Sequence, residues 1–477
     1  MERAKKLAGI ALGAGLVIGG LTAGPAVASA ATTCGGTTAG TTATGTLGDG
    51  AKWEIQCPAG AWNGTLFLYS HGYVVPGPTL TAQDASDPVT GTWLLAHGYA
   101  IAGSSYASNG WAIQQALPDQ IGTLDVFDAT YGTPRQTIAW GDSLGGMITA
   151  GLIQDYPGRF TAALPMCGVL SGGVATWNTA LDAEFAFKEL LAPTSKLQLV
   201  NIQSPTANLA LAESIVATAQ ATPQGRARLA LVAALDDTPG WFTTGSAEPA
   251  PTDYAAQEAN QFEWAAEVTF PFVFDFRAEL EGRAGGNPSW NTGVNYVQDL
   301  SKSVDLAEVK ALYQAAGLNL NQDLSTLDSA PRISASPSAV AYLSQNIAYN
   351  GHITVPTLTL HTTGDGLVVP ENEQAYRSVV NRAGQGNLLQ QLFVARAGHC
   401  AFTPAEKITA IGVLLNRVAT GQWNVFNLDP AVLNGQAAAL GTTYNSYPPA
   451  FTSYLPAPYL RPYDLAPVFG AAGQPVP

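Results

Sequence analysis

The chain has 477 residues, 47% of them hydrophobic and only 12% charged, and such a chain buries enough apolar surface to exclude a disordered or coiled-coil protein. The length predicts one large domain with a sizeable insertion, or two domains. A formal charge of −14 and a pI ≈ 4.7 repel phosphate backbones and argue against nucleic acid as a partner.

The amino-terminal 30 residues read as a secretory signal peptide. Arg3, Lys5 and Lys6 give a positive start, an apolar run follows from Leu7 to Leu21, and Ala28-Ser29-Ala30 supplies a small-residue cleavage site. The run is short and glycine-bearing for a bilayer span, so a membrane anchor is the weaker reading. Secretion is therefore expected, with no membrane association after cleavage. Four Cys are too few for a disulfide scaffold in so long a chain, yet enough for two local staples.

After a Thr/Gly-rich start, short apolar runs at 65–69, 99–103, 136–140, 160–166, 354–360 and 389–394 alternate with amphipathic stretches. The helical stretches are 111–131, 144–155, 371–380 and 405–419. This alternation predicts an α/β fold with a mainly parallel sheet and helices on both faces. Residues 171–351 break the rhythm with a helix-rich, acidic segment, read as a lid inserted into a core of residues 31–170 and 352–443. The tail, 444–477, alternates Pro with Tyr444, Tyr447, Tyr454, Tyr459 and Tyr463. It favours extended geometry, and burial of its aromatics predicts a strap along the body rather than a free arm.

Gly141-Asp142-Ser143-Leu144-Gly145 is the strongest chemical feature. It follows a predicted strand and opens a predicted helix, the context in which G-x-S-x-G makes a sharp turn that exposes a nucleophilic serine. A serine hydroxyl needs a base, and five histidines are present. His399, in Gly398-His399-Cys400, is the one that follows the last predicted core strand. His71, His97, His352 and His361 read as structural. The acid should leave the end of the preceding strand, which points to Asp365 in a Gly-flanked turn. Glu371 and Glu373 are rivals, explained equally well by the start of a helix. The oxyanion amides are expected from Leu144, directly after the nucleophile, and from Tyr73 in the loop His71-Gly72-Tyr73.

These residues resemble the α/β-hydrolase superfamily of serine hydrolases. The resemblance rests on His71-Gly72 after a strand, Gly141 to Gly145, Gly364-Asp365 before Val369-Pro370, and Gly398-His399. It spans most of the chain outside the lid. It implies an α/β-hydrolase fold and an acyl-enzyme mechanism with Ser143, His399 and Asp365. Cys400 beside His399 is similar to the tannase and feruloyl-esterase branch, where a disulfide joins the neighbourhoods of nucleophile and histidine. That branch has Cys immediately before the serine, where this chain has Asp142, so Cys167 is expected to supply the equivalent staple. The implied pairing is Cys34–Cys57 and Cys167–Cys400, one of three connectivities, with free buried thiols as the other possibility.

Phe270, Phe272, Phe274 and Phe276 alternate strictly, so an extended strand there would put all of them on one face. That face would either pack the lid onto the body or wall an aromatic acyl pocket over Ser143. Three functional readings follow. The first is a secreted carboxylic-ester hydrolase acting on a small-molecule or oligomeric ester. The second is a serine exopeptidase whose lid carboxylate (Glu184, Glu263 or Glu267) anchors a substrate amine. The third is a catalytically silent binding protein. No H-E-x-x-H, paired Cys-x-x-Cys or dinucleotide fingerprint is present, so no metal or cofactor is implied.

Overall fold

The computed structural model describes residues 33–463. The segment read as a signal peptide and the end of the tail from residue 464 lie outside the described residues.

Nine strands form a single sheet: β1 (Thr41–Thr46), β2 (Lys52–Cys57), β3 (Thr65–Ser70), β4 (Ala100–Ser104), β5 (Gln136–Asp142), β6 (Ala162–Met166), β7 (Thr357–Gly364), β8 (Leu389–Ala397) and β9 (Phe451–Thr452). Their spatial order is β1-β2-β4-β3-β5-β6-β7-β8-β9. Strands β3 to β8 run parallel, and β1, β2 and β9 join as antiparallel edges. The fully buried patterns of β3, β4 and β6 explain their continuously apolar sequences, since helices cover both faces of the sheet. This is the α/β-hydrolase fold expected from the sequence.

The edge strands β1 and β2 were not predicted. In β1 residues alternate between exposed and half-buried and are Thr/Gly-rich, and β2, just inside it, buries only Ile55 and Cys57, so neither gives a continuous apolar run to detect. The Cys34–Cys57 disulfide ties this edge to the chain start, with a Cα–Cα distance of 5.3 Å. The helix Pro88–Ala96 was missed as well; its Asp87 cap and first-turn proline are its only strong local signals.

Between β6 and β7 the chain builds the helical lid, from Gly173–Leu191 to Pro337–Gln345. The lid has its own apolar centre, in which Phe187, Phe270, Phe274, Tyr296 and Tyr313 are all buried. The segment 265–276 corrects the extended reading, because it is a widened, π-type helix at Ala265–Thr269 and again at Phe272–Phe276. In a helix, residues two apart face roughly opposite ways, so the alternating Phe separate into two pairs. Phe270 and Phe274 pack at 4.8 Å inside the lid. Phe272 and Phe276 pack at 5.4 Å on the other side, against Tyr73 of the core. The reading of a face that packs the lid onto the body thus describes Phe272 and Phe276 alone, whereas Phe270 and Phe274 belong to the lid's own centre.

The described part of the tail runs along the body. Phe451 and Thr452 pair with Val394 and Phe393 on β8, and Tyr459 N–H donates to Gln374 Oε1 at 3.1 Å. Arg461 then reaches the lid, donating to Asp182 Oδ2 at 2.7 Å and to the Trp290 carbonyl at 2.9 Å. Among the described residues, no helix is long and apolar enough to cross a membrane.

The lid encloses an unusual number of acids. Burial pushes the Glu258 carboxyl up to about 7, and burial with Asp305 alongside pushes Glu308 up to about 8. Burial likewise raises Glu184 well above the carboxylate range, and burial together with Glu371 and Asp305 raises Asp237. A carboxyl whose folded pKa is raised holds its proton more tightly when folded. Its stabilising contribution is complete below the ordinary carboxylate range and is lost as pH climbs through the folded value. The Tm should therefore fall by several degrees between about pH 4 and about pH 8, and Glu308→Gln should flatten that slope. A thermal-denaturation series in matched-ionic-strength buffers checks this; a Tm that rises across the window would contradict it.

Candidate active site

Strand β5 ends at Asp142, and the next helix, Leu144–Asp155, begins at once. Ser143 makes the turn with φ 60° and ψ −123°, a conformation costly for a residue with a side chain. Such a turn demands bare backbone around it. A Cβ on Gly145 would lie 1.9 Å from the Ser70 carbonyl oxygen, and one on Gly141 would lie 2.5 Å from the same oxygen. Gly146 is equally confined, 2.6 Å from the Met166 carbonyl oxygen. The spacing of glycines around Ser143 is thus a packing requirement at the carboxyl end of β3, β5 and β6.

The structure brings Ser143, His399 and Asp365 together. Ser143 Oγ lies 2.7 Å from His399 Nε2, and His399 Nδ1 lies 2.8 Å from Asp365 Oδ2. The other Asp365 oxygen accepts from the Leu367 and Val368 N–H groups, both at 3.0 Å, so the fully buried carboxylate cannot rotate away. The hydroxyl can therefore donate to Nε2 while the Nδ1–H donates to Asp365, the tautomer a general base requires. The His399 side chain keeps 20% of its surface exposed, leaving its edge open to a ligand.

Of the rival carboxylates, Glu373 is occupied elsewhere. Glu373 receives Thr359 Oγ1 and Gln391 Nε2 and lies 3.1 Å from His361 Nδ1. The other nitrogen of His361 lies 2.8 Å from the Val368 carbonyl, so both nitrogens donate and the buried ring is a cation. Burial is the largest single influence and opposes that charge, but the bond to Glu373, the charges of Glu373 and Asp365 and the Val368 carbonyl together hold the pKa above its usual value. His361 Nε2 is 3.7 Å from Asp365 Oδ2, so it also counterbalances that charge. Glu371 is buried, and burial pushes it up to about 7.

The remaining histidines stand apart from Ser143 Oγ. His71 stacks on Tyr106 at 4.0 Å, and burial lowers its pKa, so the ring is neutral and shapes its loop. His97 caps a helix by its 2.7 Å contact with the Trp93 carbonyl. The loop carrying His71 passes next to the serine, since a Cβ on Gly72 would sit 3.3 Å from Ser143 Cβ. Tyr73 follows directly and lines the same cavity as Ser143 and Leu144. Leu144 opens its helix, so its N–H has no partner within the helix.

The loop of His399 is held from several sides. Thr362 and Thr244 hydroxyls donate to the Gly398 and Ala397 carbonyls at 2.7 and 2.9 Å. Arg396 donates to the Ala401 carbonyl at 2.7 Å and makes two bonds to Glu406, at 2.6 and 2.9 Å. Cys400 is bonded to Cys167, at the end of β6, with a Cα–Cα distance of 5.4 Å and a sequence separation of 233. Arg396 and Glu406 escaped sequence reading, because a buried pair ten residues apart across a loop has no local pattern.

The cavity over Ser143 has a volume of about 90 Å³. Its wall is mostly apolar and aromatic: Tyr73, Trp111, Trp177, Phe272 and Tyr459, with one acid, Asp236. Trp177 and Asp236 come from the lid, and Tyr459 comes from the tail. Asp236 was not singled out by sequence, and Tyr459 was expected only to be buried with the other tail aromatics, with no sign of the distant site it reaches. Of the lid carboxylates weighed as amine anchors, Glu263 and Glu267 are exposed, whereas Glu184 is buried and lines a neighbouring cavity. Among the described residues, no group of His, Cys, Asp and Glu is placed to hold a metal ion.

No family model matches the chain. It is 28% identical over 427 residues to a protein named o-phthalyl amidase from Xanthobacter agilis, covering 83% of this chain and 91% of that one. That relationship supports a hydrolase. Among solved structures, feruloyl esterase B from Aspergillus oryzae shares 11% identity with a TM-score of 0.36, covering 80% of each chain. The rice cell wall degrading esterase LipA from Xanthomonas oryzae shares 15% identity with a TM-score of 0.34, covering 80% of this chain and 89% of that one.

The disulfide is the simplest handle on the histidine loop. Cys167→Ala combined with Cys400→Ala should cost about 3–5 kcal/mol of stability, since the closed loop is long. It should also slow labelling of Ser143 by a fluorophosphonate by about ten-fold or more, through loosened geometry. Denaturant unfolding and labelling kinetics measure the two effects separately; unchanged labelling would show that the loop holds His399 without the bond.

Proposed function

We propose that the protein is a secreted serine hydrolase that cleaves carboxylic esters through an acyl-enzyme. The observation that carries this reading is the continuous hydrogen-bonded chain from Ser143 Oγ through His399 to Asp365, at 2.7 and 2.8 Å. His399 takes the hydroxyl proton as Ser143 attacks the acyl carbon. The Leu144 and Tyr73 N–H groups receive the developing oxyanion, aided by the positive end of the helix Leu144–Asp155. The leaving group departs with the proton from His399. Water, deprotonated by the same ring, then releases the acid and restores Ser143. Asp365 stays ionised and stabilises the imidazolium in both halves of the cycle.

The small aromatic cavity supports a compact acyl group rather than a long chain. Secretion is supported by two disulfides, which persist in oxidising compartments. A second reading has one specific observation in its favour: the relative named o-phthalyl amidase matches over most of both chains. On that reading the scissile bond is an amide of a compact aromatic acid. The protein groups required are the same, except that His399 must protonate a poorer leaving group.

Both are tested by rates on p-nitrophenyl esters of increasing acyl length and on p-nitroanilides of the same acids, with Ser143→Ala as control. Ester turnover that peaks at short or single-ring acyl groups supports the first reading, and comparable anilide turnover supports the second. Ser143→Ala should lose about 10³-fold or more in kcat with its Tm nearly unchanged. Substantial activity in that variant would sink the proposal.

A further inference from the structure

The cavity over Ser143 does not end at its aromatic wall. Ala180, Asp236, Thr269 and Val273 line it on one side and, on the other, line a second cavity of about 50 Å³ within the lid. Asp236 therefore stands at the partition between the two spaces. Its carboxylate has no hydrogen-bond or ion-pair partner among the described residues. Glu184 lines the second cavity; it is only 4% exposed, and neither of its oxygens has a hydrogen-bond partner.

The one cation near Glu184 is Arg277, whose Nη1 lies 3.8 Å away, beyond hydrogen-bond distance. Arg277 is engaged in part: its Nε donates to Glu281 at 3.1 Å and its Nη2 to Asn287 at 2.9 Å, while Nη1 has no hydrogen-bond partner and balances the Glu184 charge only from that distance. Arg461 is likewise committed to Asp182. Where Asp236 is ionised it is a carboxylate without a donor, which is costly, so a guest that settles beside it must bring donors. A hydroxyl brings one; an ammonium brings three and the opposite charge. In the cavity over Ser143 an anion would face Asp236, the one acid in its wall, whereas the unpartnered Nη1 of Arg277 lies behind it beside Glu184. The aromatic side chains of Trp111 and Phe272 in the cavity wall also favour a positively charged guest, while the Trp177 ring already carries the Arg277 guanidinium at 5.5 Å.

We propose that Asp236, with Glu184 behind it, is a recognition subsite for a protonated amine at the far end of the substrate's acyl group. The proposal rests on Ser143 being the nucleophile and narrows the substrate to a compact acyl group that carries an amine. Burial, with Asp182 nearby, pushes the Asp236 carboxyl up to about 7, the behaviour of an acid that lacks its cation.

The test uses butylamine, 1-butanol and butyrate, probes of equal chain length that differ in the terminal group. Each is titrated against the whole protein, with two readouts: quenching of tryptophan fluorescence, and protection of Ser143 from a fluorophosphonate. Butylamine should act at a concentration at least ten-fold lower than the other two. Asp236→Asn should erase that preference, and Glu184→Gln should weaken it, while Glu263→Gln on the exposed lid surface should leave it intact. Equal action of the three probes, or stronger action of butyrate, overturns the proposal, and so does a preference that survives in Asp236→Asn. If Asp236→Asn does not fold, the order of the three probes on the wild-type protein still decides. A protein that resists the fluorophosphonate altogether defeats the nucleophile assignment, whereas fluorescence still reports the probe order, so the two failures are distinguishable.

Discussion

The site depends on how closely three strands approach one another at their carboxyl ends. The 1.9 Å that would separate a Gly145 Cβ from the Ser70 carbonyl oxygen leaves room for hydrogen alone. Because β3 and the helix after β5 meet at that distance, Ser143 is forced into its left-handed turn, and the loop after β3 is carried past its hydroxyl. The positive backbone angle of Ser143 is thus paid for by the packing of the central sheet. Neighbouring strands then supply the remaining groups in register, since β7 ends at Gly364 opposite Ala397 of β8. Asp365 and His399 follow those two residues at almost the same height above the sheet. Parallel strands, all ending on one edge, convert distant sequence positions into adjacent chemistry.

Rigidity around the histidine is spread over several kinds of interaction. The disulfide restrains the chain covalently, Arg396 and Glu406 do so through a charged, buried pair, and two threonine hydroxyls hold the backbone carbonyls. Glu406 also completes the capping box of the helix Pro404–Thr420 and accepts from the Ala450 N–H. One carboxylate therefore links the histidine loop, the last large helix and the tail. Removing it would strand Arg396 as an unpaired buried charge, a far larger perturbation than loss of a surface ion pair.

What could be read from the sequence follows from which signals are local. The buried parallel strands announce themselves as apolar runs, and the turn at Ser143 as closely spaced glycines, because each is dictated by its immediate neighbours. Asp365 and His399 were legible through chain order alone. The alternating phenylalanines misled for a physical reason: a period of two fits a strand, but the same residues on a helix separate into two opposed pairs. Both pairs found aromatic partners, Phe187 for one and Tyr73 for the other, so burial did not discriminate between the two conformations. Asp236 and Tyr459 were illegible because their importance lies wholly in what they face across the fold.

The lid presents the opposite economy from the core. Around the triad, the buried charges are matched: Asp365 has three donors, and Arg396 has carboxylate and carbonyl acceptors. In the lid, oxygens of Glu184, Asp237, Glu258 and Glu308 lack partners, and burial raises the pKa of each of these acids. A segment that needed only to cover the sheet would gain stability by replacing these carboxyls with apolar groups of similar size. Of these four, Glu184 lines a lid cavity that shares a wall with the cavity over Ser143, and there a guest carrying an ammonium would supply the missing donors. Binding would then relieve the same desolvation that weakens the empty lid. Recognition and lid stability would be two readings of one electrostatic deficit.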